Sequence, residues 1–444
     1  MKGRALACWL VLLSCAPLAL PEVAAAEENE KREVPDYDGR EDPTTAGDVL
    51  IWVPRILLSP LYLVSEYVIR VPLGFLVTEA ERAGVPSFLY DLFLFGPDHK
   101  AGLLPTFFLD FGFEPSIGLY FFWNDAFADG NDINVRGAFW GDEWLSASIS
   151  DRVHLDDKTS VALHASGLRR PDYVYFGEGA RSLQSDRSRY GAITLEGGAD
   201  LDVNWSRASR VRIEVGLRKR DFRPGGFGDD PTLSESIDDG TFEEPYAYST
   251  GYTILYNRAL LALDSREPSP SPGTGVRLEL RVEQGSEVAR DPNAYIRYTA
   301  ALGGYYDLDD HGRVISLWGG VSFADPLQGD VPFTELCALG GSEAMRGFVE
   351  GRLVGRSAAV MSFRYHWPVW IALDGSIQLS FGNVFDEHLR DFKPSLLRFS
   401  GTIGIESVGK DSSIELLFGM GSETFAQGGE ITSFRLVFGS HYGF

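Results

Sequence analysis

The chain has 444 residues and a formal net charge of −23, which argues against an electrostatic grip on nucleic acid or on anionic lipid alone. Aromatic residues at 13% together with 49 glycines are high for a soluble enzyme; aromatic girdles and many turns account for both. Beyond residue 26 no stretch reaches about eighteen uninterrupted apolar residues, so no spanning helix is predicted.

Lys2 and Arg4 precede an apolar run from Ala5 to Leu20, and Ala24-Ala25-Ala26 supply small residues ahead of Glu27. This pattern predicts a secretory signal over 1–26, cleaved after Ala26. An alternative reading takes Leu12-Leu13-Ser14-Cys15 as a lipoprotein signal with Cys15 acylated. After cleavage at Ala26, Cys337 is the one cysteine left, and no intramolecular disulfide can form. Residues 27–48 are acidic and turn-rich, a disordered lead. Residues 49–103 form an amphipathic helical segment. Ser59-Pro60 opens a run in which Leu61, Val64, Tyr67, Val68 and Val71 share a face, bounded by Pro54 and Pro72. Thr78 and Glu81 then form a capping box, and Gly84 stops the second helix. These pieces are too short to span a bilayer. An apolar face this broad needs the membrane interface, the barrel's rim or a periplasmic partner bound through 49–84.

From about Leu104 the period becomes two. Val276, Leu278, Leu280 and Val282 alternate with Arg277, Glu279, Arg281 and Glu283. Val211 to Arg218, Ala359 to Trp367 and Phe434 to Phe444 repeat the pattern, one face apolar and the other charged or small. Sixteen strands are predicted, in order: Pro105–Phe113, Ser116–Trp123, Asp132–Trp140, Glu143–Asp151, Thr159–Leu168, Ser188–Val203, Val211–Phe222, Tyr248–Asp264, Gly275–Glu283, Ala294–Tyr306, Val314–Phe323, Ser357–Trp367, Ala372–Phe385, Leu396–Glu406, Ser412–Met420 and Ser433–Phe444. Alternation alone fits either a soluble sandwich or a membrane barrel. Three observations favour the barrel. The count is even, as single-chain bacterial barrels require. The long polar loops 169–187, 223–247, 284–293 and 324–356 all fall between odd and even strands, and the tight turns fall on the other side. The last strand carries Phe434, Phe438, Tyr442 and Phe444 on one face, the ending read by the outer-membrane insertion machinery. The expected fold is all-β, a transmembrane antiparallel barrel over 104–444.

Three segments carry a resemblance. Asp264-Ser265-Arg266 followed by Pro272-Gly273-Thr274-Gly275 matches a D-T-R…P-x-x-G strand–turn–strand signature. Gly340-Gly341, then Met345-Arg346-Gly347-Phe348, matches a V-R-G-F loop. Tyr365 and Pro368 with Gly382-Asn383-Val384-Phe385 match the strands that follow. Together they resemble the BamA/TamA-type bacterial surface-antigen family over most of the chain after about residue 100. The resemblance implies an outer-membrane barrel that inserts or translocates protein or lipid, with the Arg346 loop folded into the lumen against acids on the next two strands. A guanidinium in a partly dehydrated lumen needs such carboxylates. Here those positions hold Arg364 and Ser380, both lumen-facing by alternation, so Glu350 and Asp374 become the candidate partners of Arg346. Family members carry POTRA domains ahead of the barrel; residues 27–103 do not read as one, which marks a short member.

The histidines at 99, 154, 164, 311, 366, 388 and 441 show no metal-ligand spacing, and no G-x-S-x-G, P-loop or C-x-x-C occurs. No enzyme activity, cofactor or metal is therefore predicted. Asp229, Asp230, Asp238, Asp239, Glu243 and Glu244 read as solvated loop charge rather than as a divalent-cation site. Expected partners are outer-membrane lipids and the barrel-insertion machinery that assembles the chain. The alternatives to insertion or translocation are a passive or gated pore and a structural, lipid-organising barrel.

Overall fold

A computed structural model describes residues 92–440 except 207, 267–272, 291, 371–372 and 408–413, with isolated positions before residue 92. The predicted signal, the acidic lead, almost all of the helical segment, Pro272, Tyr442 and Phe444 lie outside the described residues.

Sixteen strands close into an antiparallel barrel, each paired with its neighbours in sequence. They are β1 Ala101–Asp110, β2 Ser116–Trp123, β3 Asn131–Trp140, β4 Trp144–His154, β5 Thr159–Tyr175, β6 Ser188–Asn204, β7 Arg210–Pro224, β8 Tyr252–Asp264, β9 Gly275–Glu287, β10 Ala294–Asp307, β11 Val314–Gln328, β12 Ser357–Trp370, β13 Leu373–Phe385, β14 Arg398–Ser407, β15 Ile414–Ser422 and β16 Ile431–Ser440. All sixteen predicted strands are present, in order.

The alternation resolves into two environments. Leu163, Ile213, Leu280, Phe363, Phe418 and Phe434 point outward and are exposed on the barrel wall, where lipid covers them. Inward positions pair their charges across strands: Arg212 with Asp200 at 2.9 Å, Arg218 with Glu196 at 2.7 Å and Arg258 with Glu283 at 2.5 Å. An arginine fork needs such partners where bulk water is thinned.

Strand ends differ from expectation where turn chemistry overrides pattern. β5 runs past Leu168 to Tyr175 because a bulge between Arg170 and Tyr173 carries it across Pro171. Beyond the bulge Tyr173 stacks on Tyr190. β1 begins at Ala101, not near Leu104, and ends at Asp110 because Gly112, at φ 98°, turns the chain. Residues 94–95, predicted to be helical, form a short strand that pairs with Ala101 and Gly102.

The strands of the β5–β8 sector outlast those of β1 and β2. Their ends and the long loops enclose an aromatic core of Tyr175, Tyr190, Phe222, Tyr248 and Phe333. The acidic loop is built into this cap. Asp230 pairs with Arg187 and Arg189, and helix α1 (Leu233–Asp238) is closed by a Thr232/Glu235 capping box.

Candidate functional site at the loop and seam

The loop between β11 and β12, residues 329–356, crosses the lumen and is held at both walls. At its start Phe333 enters the aromatic core. Glu335 accepts from Arg218 at 2.8 Å, Tyr252 at 2.5 Å and Tyr295 at 3.1 Å. Burial alone would raise the Glu335 carboxyl, but Arg218, Arg220 and Arg297 outweigh it and hold it down to about 2. Its folded value lies below the ordinary 4.5. Stability from this anchor is therefore fully present above about 4.5 and lost as pH falls through about 2. Melting curves of wild type and Glu335→Gln should differ by a constant amount from neutral pH down to about 4.5, then converge. A gap that stays constant to pH 2 would contradict this.

A hairpin, Cys337–Leu339 with Leu353–Gly355, carries the loop inward to its tip. Gly340 and Gly341 lie at φ 113° and 81°, and a Cβ on Gly340 would sit 2.4 Å from the Val349 carbonyl. Only glycine permits that turn. Gly341 donates to the Phe348 carbonyl at 2.9 Å, which closes the tip.

The tip docks on β14, β15 and β16. Arg346 is buried and its guanidinium bonds the Glu415 carboxylate on β15. The Gly347 amide donates to Ser400 Oγ on β14 at 2.9 Å, and Ser433 Oγ on β16 donates to the Gly347 carbonyl at 3.2 Å. Any side chain at 347 would start 2.0 Å from the Met420 carbonyl, and Phe348 fills the space beside Gly421. On the opposite side a cavity of about 580 Å³, lined by Arg277, Glu279, Arg281, Tyr305 and Trp318, lies between the tip and β9–β11 and is bridged by Glu343 of the tip, which pairs with Arg281 at 3.3 Å.

Arg346 thus meets neither expected partner. Asp374 is taken by His366 at 2.9 Å, and Glu350 is exposed beside Gly341. At the positions of the missing family acids, Arg364 pairs with Glu406 at 2.6 Å, and Ser380 bonds Ser362 at 2.7 Å. With no carboxylate at either position, the tip's charge is met on β15 instead. One signal for Glu415 stood in the sequence: a lone acid between Ile414 and the apolar stretch Leu416–Phe418, inward by alternation.

The same docking surface is the barrel's seam. Among the described residues β16 meets β1 through three register pairs, Val437 with Asp110, Phe438 with Leu109 and Gly439 with Phe108, far fewer than join β5 to β6. Gly439 lies at φ 138°, where a Cβ would strike the Phe107 carbonyl at 2.2 Å. Arg435 of β16 grips Asp110 of β1 with bonds of 2.7 to 3.1 Å. Its remaining arm donates to the loop carbonyls of Gly341 at 2.5 Å and Arg346 at 3.1 Å. One guanidinium therefore holds both strand edges and the loop tip.

The strand–turn motif lies at the opposite end of the barrel. Arg266 forks onto Asp264 and stacks on Tyr305 at 4.4 Å. Gly273 lies in the same turn, and Gly275 leaves no room for a Cβ, which would lie 2.7 Å from the Arg266 Cα. Among the described residues one group brings metal-type ligands together, His164, Glu196 and Glu214 within 4.8 Å. Sequence spacing did not suggest it, because three strands supply it. Arg258 contacts both glutamates, at 3.0 and 3.1 Å, and already provides a counter-charge there.

Residues 129–404 match the model of the Omp85 superfamily domain. Among solved structures, BamA from Haemophilus ducreyi lacking POTRA domains 1–3 superposes with a TM-score of 0.54 at 14% identity, covering 77% of this chain and 70% of that one. CdiB from Acinetobacter baumannii gives 0.48 at 11%, covering 77% and 59%; CdiB from Escherichia coli gives 0.48 at 10%, covering 78% and 64%. At 14% identity the likeness to BamA is one of fold. No curated protein sequence matches.

Proposed function

Because this chain belongs to the Omp85 superfamily, we propose that it inserts or translocates protein or lipid at the outer membrane by parting its β1–β16 seam, with the 340–348 tip as the lumen gate. The observation that carries this reading is Arg435, which bonds Asp110 across the seam and the loop carbonyls at once. Parting the strands removes the carboxylate that positions this guanidinium, so seam opening and loop release belong to one movement. The ladder, short among the described residues, keeps opening within reach, and the cavity beside β9–β11 gives the tip somewhere to go. A resting lumen crossed by a doubly anchored loop speaks against a constitutive pore. In this reading residues 1–26 direct export, and residues 49–84 receive the client or its carrier.

Leu109 and Phe438 lie directly opposite in register, within the separation a disulfide spans. Cysteines at both positions should lock the seam on oxidation. Oxidised protein in liposomes should fail to speed the folding of an unfolded eight-stranded barrel client, and reductant should restore the rate. Equal rates in both states would refute seam opening.

A further inference from the structure

The β13–β14 loop, residues 386–397, does not roof the lumen. It bends outward over the membrane-facing wall. His388 stacks on Phe323 at 5.4 Å and bonds the Tyr298 hydroxyl at 3.0 Å, and by alternation both aromatics share the lipid face with Leu302 and Leu317. Phe392 covers Phe385 at 5.3 Å. The bend is made at His388 and Leu389, with φ of 49° and 59°, left-handed values that residues other than glycine seldom adopt.

Beneath this eave the wall is indented. Ala300 of β10, Gly319 of β11 and Ala359 of β12 form a floor without bulk. Leu302, Met361 and Phe392 stand around it, and the groove holds about 450 Å³. A Cβ on Gly319 would meet only the Val360 carbonyl, at 3.5 Å, so the strands could accommodate a larger residue there.

We infer that this groove binds one acyl chain of a membrane lipid. The proposal rests on the barrel spanning a bilayer. The groove is continuous with the lipid-facing band, so the medium that reaches it is hydrocarbon. An unfilled slot there would forfeit dispersion contacts. A single flexible chain suits a slot bounded by isolated side chains. The adjoining segment 386–393 sets Asp386, Glu387 and Asp391 against Arg390 and Lys393, which offers no net cationic clamp. Recognition is therefore of the chain and not of an anionic headgroup.

The test uses the full chain in nanodiscs, with a mid-chain diazirine on phosphatidylcholine in one arm and on phosphatidylglycerol in the other. Peptides containing Ala300, Gly319 and Ala359 should label several-fold above other lipid-facing strands, equally in both arms. Gly319→Phe should abolish the excess. Gly137→Phe, at an open lipid-facing glycine of β3, should leave it intact. Should Gly319→Phe fail to fold, Ala359→Leu fills the same groove. Even labelling around the belt, an excess that survives filling, or an excess seen with phosphatidylglycerol alone would overturn the proposal. Absence of label from the whole wall would instead overturn the membrane-spanning reading beneath it.

Discussion

Replacing Arg435 by alanine is expected to free the seam and the loop tip together. Asp110, almost fully buried, would lose its counter-charge, and the Gly341 and Arg346 carbonyls would lose a donor. Removing one member of a buried ion pair destabilises by about 3–5 kcal/mol, whereas an exposed pair contributes about 0–1 kcal/mol. The variant should unfold at a clearly lower temperature in heat-modifiability gels. In planar bilayers it should open more often than wild type. Arg435→Lys keeps the charge but loses the fork, so it should restore part of the stability and little of the closure. A variant as closed as wild type would separate Arg435 from gating.

The second large effect is expected at Glu423, in the turn between β15 and β16. This carboxylate serves two fully buried arginines, Arg352 of the lumen loop and Arg398 of β14. It also accepts from the Gln184 amide at 3.0 Å and Thr432 Oγ1 at 3.0 Å. Loop 176–187, the lumen loop, β14 and β16 therefore meet at one side chain. Glu423→Gln keeps the shape and removes the charge, leaving two guanidinium groups buried with carbonyl and hydroxyl acceptors only. A loss of about 3–5 kcal/mol follows from the same reasoning. It should appear as protease sensitivity of the 176–187 and 329–356 loops before the barrel itself unfolds. Simultaneous unfolding of loops and wall would show that this cluster is no separate clasp.

How much of this was legible in advance follows from which interactions are local. Alternation along Val276–Glu283 or Phe434–Phe438 is written in adjacent residues, because successive side chains in a strand face opposite sides. Strand order and side of exit follow from neighbour pairing and loop length. The Gly340-Gly341 and Arg346-Gly347-Phe348 segments were visible as a motif, since a left-handed turn and a close approach both demand glycine. The partners were not. Glu415 stands 69 positions from Arg346, and Asp110 stands 325 from Arg435. Such pairs depend on barrel closure and on which wall the loop meets, neither of which a local pattern encodes. The next two strands hold Arg364 and Ser380 at the family's acid positions, which left Glu350 in the loop itself and Asp374 as candidates; the fold turned the tip toward the last three strands. Bulges such as the one at Arg170 escape notice because proline reads as an ending when the strand in fact bends past it.

The central claim is that loop and seam move as one. Amide exchange at the loop tip, measured in the Leu109→Cys/Phe438→Cys protein before and after reduction, tests it most directly. The Gly347 amide donates to Ser400 Oγ across the dock in the closed state, so exchange there reports undocking. Oxidised protein should exchange this amide markedly more slowly than reduced protein, while amides of β5 and β6 stay unchanged. Equal exchange at the tip in both forms would contradict the coupling.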